Sequence, residues 1–345
     1  MKKGNSQKDI ILAVLAICIL SVFAILSHKR PYQHDEGTIF GTIYHITYQS
    51  GTDYKTDIES ELRKVDGSLS MFNDTSLVSK INRNIPVTLD PYFITVFNKA
   101  KEVSKISNGA FDTTVAPLVN AWGFGFKNYK NVNQHTIDSL RQFVGYDKIS
   151  IANGKIVKKD PRVMLDYSGI AKGFGVDVVA NLLESKGIKN YIVEIGGEID
   201  AHGYAPTKEN NKDRYWRIGI DKPIDGSDEI DDQLQAVLKV RDCSMATSGN
   251  YRKFYYKNGK KYAHIIDPHS GQPVQHSVLS STVIAEDCMT ADAYAKVFMV
   301  NGIEKSIPFL RQHRNIDVYL IYVGKDEKLH SYMTSGMKKL VVKEE

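Results

Sequence analysis

Two glycine-bounded stretches concentrate the side chains of this sequence that could do chemistry: LDYSGIAKGFGVD from Leu165 to Asp177, and ATSGNYRKFYYKNGKKYAHIIDPHSG from Ala246 to Gly271. Each mixes small residues that expose backbone with polar side chains a packing core does not need. These are Asp166 and Lys172 in the first stretch and Ser248 and His264 in the second. In the first, Tyr167-Ser168-Gly169 turns into a helix beginning near Ile170, with Lys172 in its first turn. A helix start offers unpaired N–H groups and the positive end of the helix dipole to an anion, and an ammonium beside them can reach a phosphate. The same residues also read as a capped helix with a solvated lysine. The order GxxxxGK[ST] is absent and there is no Rossmann fingerprint, so the phosphate cradle is of another kind.

In the second stretch, Ala246-Thr247-Ser248-Gly249 reads as a small-residue turn, and the hairpin after it returns His264 toward the same end. A general base and an anion cradle would then lie side by side, although a structural histidine fits the position equally. A third element is Ala291-Asp292-Ala293-Tyr294-Ala295-Lys296. On a helix, Asp292, Ala295 and Lys296 fall at i, i+3 and i+4 and share one face. A carboxylate among small residues suits a hard cation such as magnesium or calcium, while Asp292 with Lys296 also reads as a plain intrahelical ion pair.

The elements that must position these groups are visible in the hydrophobic pattern. Gly37 to Tyr48 alternates as a strand does, and Ile58, Leu62, Val65 and Leu69 then recur at helical spacing. Asp90-Pro91 starts a helix with an apolar stripe of Phe93, Val96, Phe97, Ala100 and Val103 that stops at Gly109. Ile170 to Lys186 makes another helix, ended by Gly187. Strands are expected at Tyr191–Ile195 and Arg214–Ile220, with a hairpin of Phe254–Lys257 and Lys261–Ile266 turning on Asn258-Gly259. A short helix from about Thr290 to Val300 ends at Gly302. Strands and helices intermingle without a regular beat, which predicts an α+β fold of mixed and antiparallel sheets with packed helices.

The 345 residues are 42% hydrophobic and 25% charged, as expected of an ordinary packed core. Of the formal charge of +5, residues 1–30 supply Lys2, Lys3, Lys8, Lys29 and Arg30 against Asp9, or 5 − 1 = +4, leaving +1 on the remainder. A body so close to neutral gives no electrostatic case for nucleic acid. Ile10 to Leu26 is a 17-residue apolar run broken only by Ser21 and flanked by basic residues. It reads as an uncleaved signal anchor, with lipidation at Cys18 as the alternative. Either divides the chain into an anchor, residues 1–30, and a body, residues 31–345, facing the periplasm from the bacterial inner membrane. Within the body only Cys243 and Cys288 remain, enough for one bridge or two buried thiols but not for a zinc site.

Beyond the anchor the chain resembles the ApbE family, the FAD:protein FMN transferases. The resemblance rests on GTIFGTIYHITY at Gly37–Tyr48, SMFNDTSLVSKIN at Ser70–Asn82 and GAFDTTVAPLVNAWGFG at Gly109–Gly125. It continues through LDYSGIAKGFGVD, VEIGGEIDAHG at Val193–Gly203, ATSGNY with HIIDPHSG, and the closing ADAYAKVF. It implies an ApbE-like fold in which FAD is bound, a threonine hydroxyl of an acceptor protein attacks the FMN-side phosphorus, and AMP leaves. By the same resemblance Phe40, Phe72, Ala110, Phe111, Asp112, Asp166, Lys172 and Ile266 line the FAD pocket; Ser248, from the small-residue segment itself, is expected in the anion cradle. Magnesium would take the Asp292 side chain and the carbonyls of Gly169 and Ala295, and His264 is the expected base.

The acceptor would be an exported or membrane-embedded electron-transfer subunit with a threonine motif. Two positions depart from the family pattern: Lys296 stands where a metal-ligating threonine is usual, and Phe40 where methionine is usual. An FAD pyrophosphatase, or a flavin-binding protein without turnover, are the alternative readings.

Overall fold

The computed structural model describes residue 14 and residues 31–125, 132–206, 214–224, 233–251, 254–257 and 259–344. The anchor expected at residues 1–30 lies outside these apart from Val14; among the described residues no helix is long and apolar enough to cross a membrane.

The body is α+β, as expected, around one eight-stranded sheet in which every neighbouring pair is antiparallel. The alternation read as a single strand is in fact a hairpin of β1 (Tyr32–Ile39) and β2 (Thr42–Gln49). It reverses at Phe40-Gly41, both at positive φ (53° and 72°). Such a two-residue turn matches the twist of the strands it joins, but it places a bulky aromatic in a backbone region that normally costs about 1–3 kcal/mol. The chain continues through α1 (Lys55–Leu69), α2 (Leu77–Asn82), α3 (Pro91–Ile106), α4 (Ala116–Ala121) and α5 (Gln134–Arg141). A small hairpin of β3 (Ile149–Ala152) and β4 (Lys155–Lys158) precedes α6 (Ala171–Ser185). The α3 start is capped as its sequence predicts, the Asp90 carboxylate accepting from the Phe93 N–H at 2.8 Å, and the predicted stripe is buried.

The sheet is extended by β5 (Tyr191–Ile195), β6 (Glu198–His202), β9 (Cys243–Gly249) and β12 (Val278–Ala285), and completed by β13 (Asp317–Val323) and β14 (Leu329–Met333). Its order is β1-β2-β5-β6-β9-β12-β13-β14. Here the structure corrects the sequence reading: Ala246-Thr247-Ser248-Gly249 is no turn but part of β9, a central strand. Small and hydroxylated side chains serve there because they pair across strands, as where Thr247 Oγ1 meets Thr282 Oγ1 at 2.9 Å.

Alternation along the strands assigns the two faces of the sheet. On β13, Val318 and Leu320 enter the helix-side core while Tyr319 and Ile321 enter the opposite one; on β9, Ala246 and Met245 divide in the same way. The opposite face is covered by a second sheet of β7 (Trp216–Asp221), β8 (Leu234–Val240) and β15 (Val341–Glu344), beside α8 (Ser335–Leu340). Among the described residues, the hairpin β10 (Phe254–Lys257) and β11 (Lys260–Ala263) pairs only with itself.

On the helix side, α6 packs against α7 (Cys288–Gln312), whose helical backbone breaks at Gly302 (φ 68°, ψ 179°), the expected end of its first segment. The start of α7 is pinned twice. Asp287 accepts from the Thr290 N–H at 2.6 Å, and Asp177 of α6 accepts from the Cys288 and Met289 N–H groups at 2.8 and 2.9 Å. Cys243 and Cys288 are both free thiols, the second buried and donating to the Met245 carbonyl at 3.3 Å.

Candidate functional site

Four charged side chains meet where the start of α6 crosses the first turns of α7 over β6 and β9. Gly173 permits the crossing, because a Cβ on it would lie 2.3 Å from the Cys288 carbonyl oxygen and 2.9 Å from Asp292 Cβ. At this closeness the Gly173 N–H donates to Asp292 Oδ2 at 3.2 Å. Asp292 is fully buried, and its Oδ1 has no hydrogen-bond partner. Glu198, the first residue of β6, is also fully buried; its Oε2 accepts from the Lys172 ammonium and its Oε1 is unpartnered. The Lys172 ammonium also lies 3.4 Å from the Gly196 carbonyl oxygen.

The partners of this ion pair respond differently. For Lys172, burial favours the neutral amine, but Glu198 and Asp292 outweigh it and hold the ammonium above its ordinary pKa. For Glu198, burial wins over the attraction of Lys172 and pushes the carboxyl up, with Asp292 adding to the rise.

Lys296 is the fourth charge. Its ammonium donates to Ser248 Oγ on β9 and stands 3.6 Å from Asp292 Oδ1, one helical turn earlier on α7. Its stem lies against Gly169, where a Cβ would come 3.2 Å from Lys296 Cγ and 3.4 Å from Phe111 Cε2. Gly169, Phe111, Lys296, Asp292 and Ser248 are therefore neighbours, and Ala295 is buried on the same helix. Asp166 is buried just before Gly169 and accepts from the Ser168 N–H at 2.8 Å; burial raises its pKa, against the field of Lys296.

The remaining expected residues form the surround. The ring of Phe40 reaches from the β1–β2 turn onto α6, where a Cβ on Gly175 would lie 2.6 Å from Phe40 Cε2. Ala110, Phe111 and Asp112 are buried on the loop after α3. The Asp112 carboxylate, pushed up by burial, accepts from the Thr114 N–H and hydroxyl at 2.8 and 2.6 Å and from the Tyr146 N–H at 2.7 Å, so it shapes that loop. Phe72, on the loop between α1 and α2, is 62% exposed, unlike the other two aromatic residues.

His264 follows β11, its ring edge-on to Phe124 with centroids 6.4 Å apart. Ser248 and His264 are not brought together across one hairpin, because β9 pairs with β6 and β12 while β10 and β11 pair with each other. The segment carrying His264 is instead laid over residues 108–125. The His269 ring donates to the Asn108 carbonyl at 2.7 Å, Trp122 Nε1 donates to the Gly271 carbonyl at 2.8 Å, and Ile266 packs with Leu118 and Trp122. That same stretch supplies Phe111 against Gly169.

Sequence reasoning missed Glu198 as a site residue. Its signal is a carboxylate at an inward position of a strand, directly after the Gly196-Gly197 turn. A hollow of about 380 Å³ lies on the other face of the sheet, lined by Gly196, Gly197, Arg217, Thr247 and Gly249 among others. Chemically, the first site offers two ammonium groups beside buried carboxylates at a helix start, an arrangement suited to a diphosphate.

The chain is similar to known proteins over most of its length. The sequence profile of the ApbE family matches residues 40–320. An FAD:protein FMN transferase of Haemophilus influenzae is 35% identical over 352 aligned residues, covering 97% of this chain and 99% of the relative. Among solved structures, flavin transferase ApbE from Vibrio cholerae superposes with a TM-score of 0.79 at 36% identity, over 90% of this chain and 99% of that one. Flavinyl transferase ApbE from Pseudomonas stutzeri in its apo form gives 0.79 at 27% identity, over 90% and 96%.

Proposed function

The chain belongs to the ApbE family, and we infer from this that it is an FAD:protein FMN transferase, with FAD as its substrate and a second protein as acceptor. The observation that carries the assignment to this site is the convergence of the Lys172 and Lys296 ammonium groups beside Glu198 and Asp292 at the start of α6.

In the proposed reaction a threonine hydroxyl oxygen of the acceptor forms a bond to the FMN phosphorus. The bond from that phosphorus to the bridging oxygen breaks, and AMP departs with the oxygen and its electron pair. The hydroxyl is a weak nucleophile and gives its proton to a base, the role proposed for His264. Negative charge developing on the phosphoryl and leaving oxygens is stabilised by fixed positive groups, the role proposed for Lys172 and Lys296. Phe40, Phe111 and Phe72 offer flat apolar faces to the flavin or adenine, Ala110 and Ile266 extend that wall, and Asp112 and Asp166 hold the loops that present it.

For the cation, this reading departs from the resemblance. Asp292 Oδ1 is buried without a hydrogen-bond partner, as a ligand oxygen could be, but the nearest charge to it is the Lys296 ammonium, which has no lone pair to give a metal. Magnesium on Asp292, Gly169 and Ala295 does not fit beside that ammonium, and no step is assigned to it. The acceptor is proposed to be an exported or membrane-embedded electron-transfer subunit, and residues 1–30 are proposed to hold the body at the periplasmic face of the inner membrane.

Incubating the purified protein with FAD and a threonine-containing acceptor tests the assignment. The acceptor should gain the mass of one FMN, with AMP released. FMN and AMP without labelling would indicate a hydrolase, and unchanged FAD a binding protein.

A further inference from the structure

We propose that the Lys296 ammonium is the built-in cation of this site, contacting the FAD diphosphate directly, so that FAD binding and FMN transfer need no divalent ion. The proposal rests on the reading that this site takes FAD.

The side chain is held at both ends. Its stem passes the turn before α6, with Cγ and Cε 3.2 and 3.6 Å from where a Cβ on Gly169 would stand, and its head donates to Ser248 Oγ, itself buried in the central strand β9. A solvated lysine making a surface ion pair needs neither constraint. An ammonium has three N–H donors. One goes to Ser248 Oγ, and Asp292 Oδ1 at 3.6 Å lies beyond hydrogen-bond reach, so N–H donors remain for a phosphate oxygen.

The geometry also opposes a metal. An ion bound to Asp292 Oδ1 would sit about 2 Å from that oxygen. The ammonium stands 3.6 Å from the same oxygen, so two positive charges would be pressed together among buried groups, where solvent screens them least. Lys172 is already engaged with Glu198, whereas Lys296 stands 3.6 Å from Asp292 Oδ1 and can meet an arriving diphosphate while the Gly173 N–H still holds Asp292 Oδ2.

Calorimetric titration of the full chain with FAD, in EDTA and in magnesium chloride, tests this. The wild-type affinity should agree between the two buffers within about twofold, and Lys296→Met should weaken binding in EDTA by about tenfold or more. Lys296→Arg should restore most of that loss, which a merely structural lysine would not require. Wild-type binding that appears only with magnesium overturns the inference and leaves the transferase reading intact, as does Lys296→Met binding FAD in EDTA as well as wild type. No FAD binding in either buffer overturns both. Should Lys296→Met fail to fold, the wild-type comparison decides alone.

Discussion

The Gly173 N–H on α6 donates to Asp292 Oδ2 on α7 at 3.2 Å, and this one bond couples the two helices that carry the lysines of the site. The relationship exists because residue 173 has no side chain. With Cys288 O 2.3 Å from the position of a Cβ, any larger residue must push the helices apart.

Gly173→Ala is therefore expected to cost about 1–3 kcal/mol of stability, the usual range for overpacking a close contact. FAD affinity should fall as Asp292 and Lys172 separate. Thermal denaturation with a parallel FAD titration checks both; an unchanged melting temperature would show that the helices do not meet as described.

Asp177 holds the same helix pair from the other side, accepting from the Cys288 and Met289 N–H groups. Asp177→Ala leaves two amides at the α7 start without that acceptor and should destabilise by about 2 kcal/mol. Asp177→Asn should cost less, because burial already holds this carboxyl well above the usual pKa and the amide keeps an acceptor oxygen. Equal melting curves for the two variants would contradict the capping role.

The pH dependence of stability should carry the mark of Glu198. Burial raises its folded-state pKa above the unfolded value, so as pH rises past the ordinary carboxylate range the unfolded chain loses this proton first. Stability then falls with rising pH until the raised value is passed. The folding penalty of ionising Glu198 is thus absent in acid and fully present above that pKa. Denaturant melts of wild type and Glu198→Gln from about pH 5 to about pH 8 should show a downward slope in wild type that the variant lacks. Parallel slopes would mean that Glu198 titrates as an exposed carboxyl does.

His264→Ala should bind FAD nearly as wild type does and lose transfer by about 100-fold or more, the usual contribution of a positioned base. Retained turnover would remove His264 from that role. A large loss of FAD affinity would make it a binding residue.

Much of the architecture was legible in the sequence because local signals agreed with tertiary ones. The Asp90-Pro91 cap and the Phe93–Val103 stripe gave α3, and the strand pattern from Phe254 to Ala263 gave the self-paired hairpin, Asn258 of its expected turn lying outside the described residues. What failed did so for physical reasons. Phe40-Gly41 turns a hairpin although phenylalanine is a poor residue at positive φ, so the alternation ran through it unbroken. Ala246–Gly249 looked like a turn because small residues mark turns on the surface, but they also fill central strands where hydroxyls pair across the sheet. At the site, spacing placed Asp292 and Lys296 on one helix face. It could not show that Ser248 and Glu198, from different strands, complete the charge cluster, because those contacts span 48 and 26 residues.

The most direct measurement is a structure of the protein with FAD bound. The diphosphate should lie over the start of α6, with its oxygens in hydrogen-bond reach of the Lys172 and Lys296 ammonium groups. A diphosphate found instead in the hollow beside Arg217, on the opposite face of the sheet, would contradict the account.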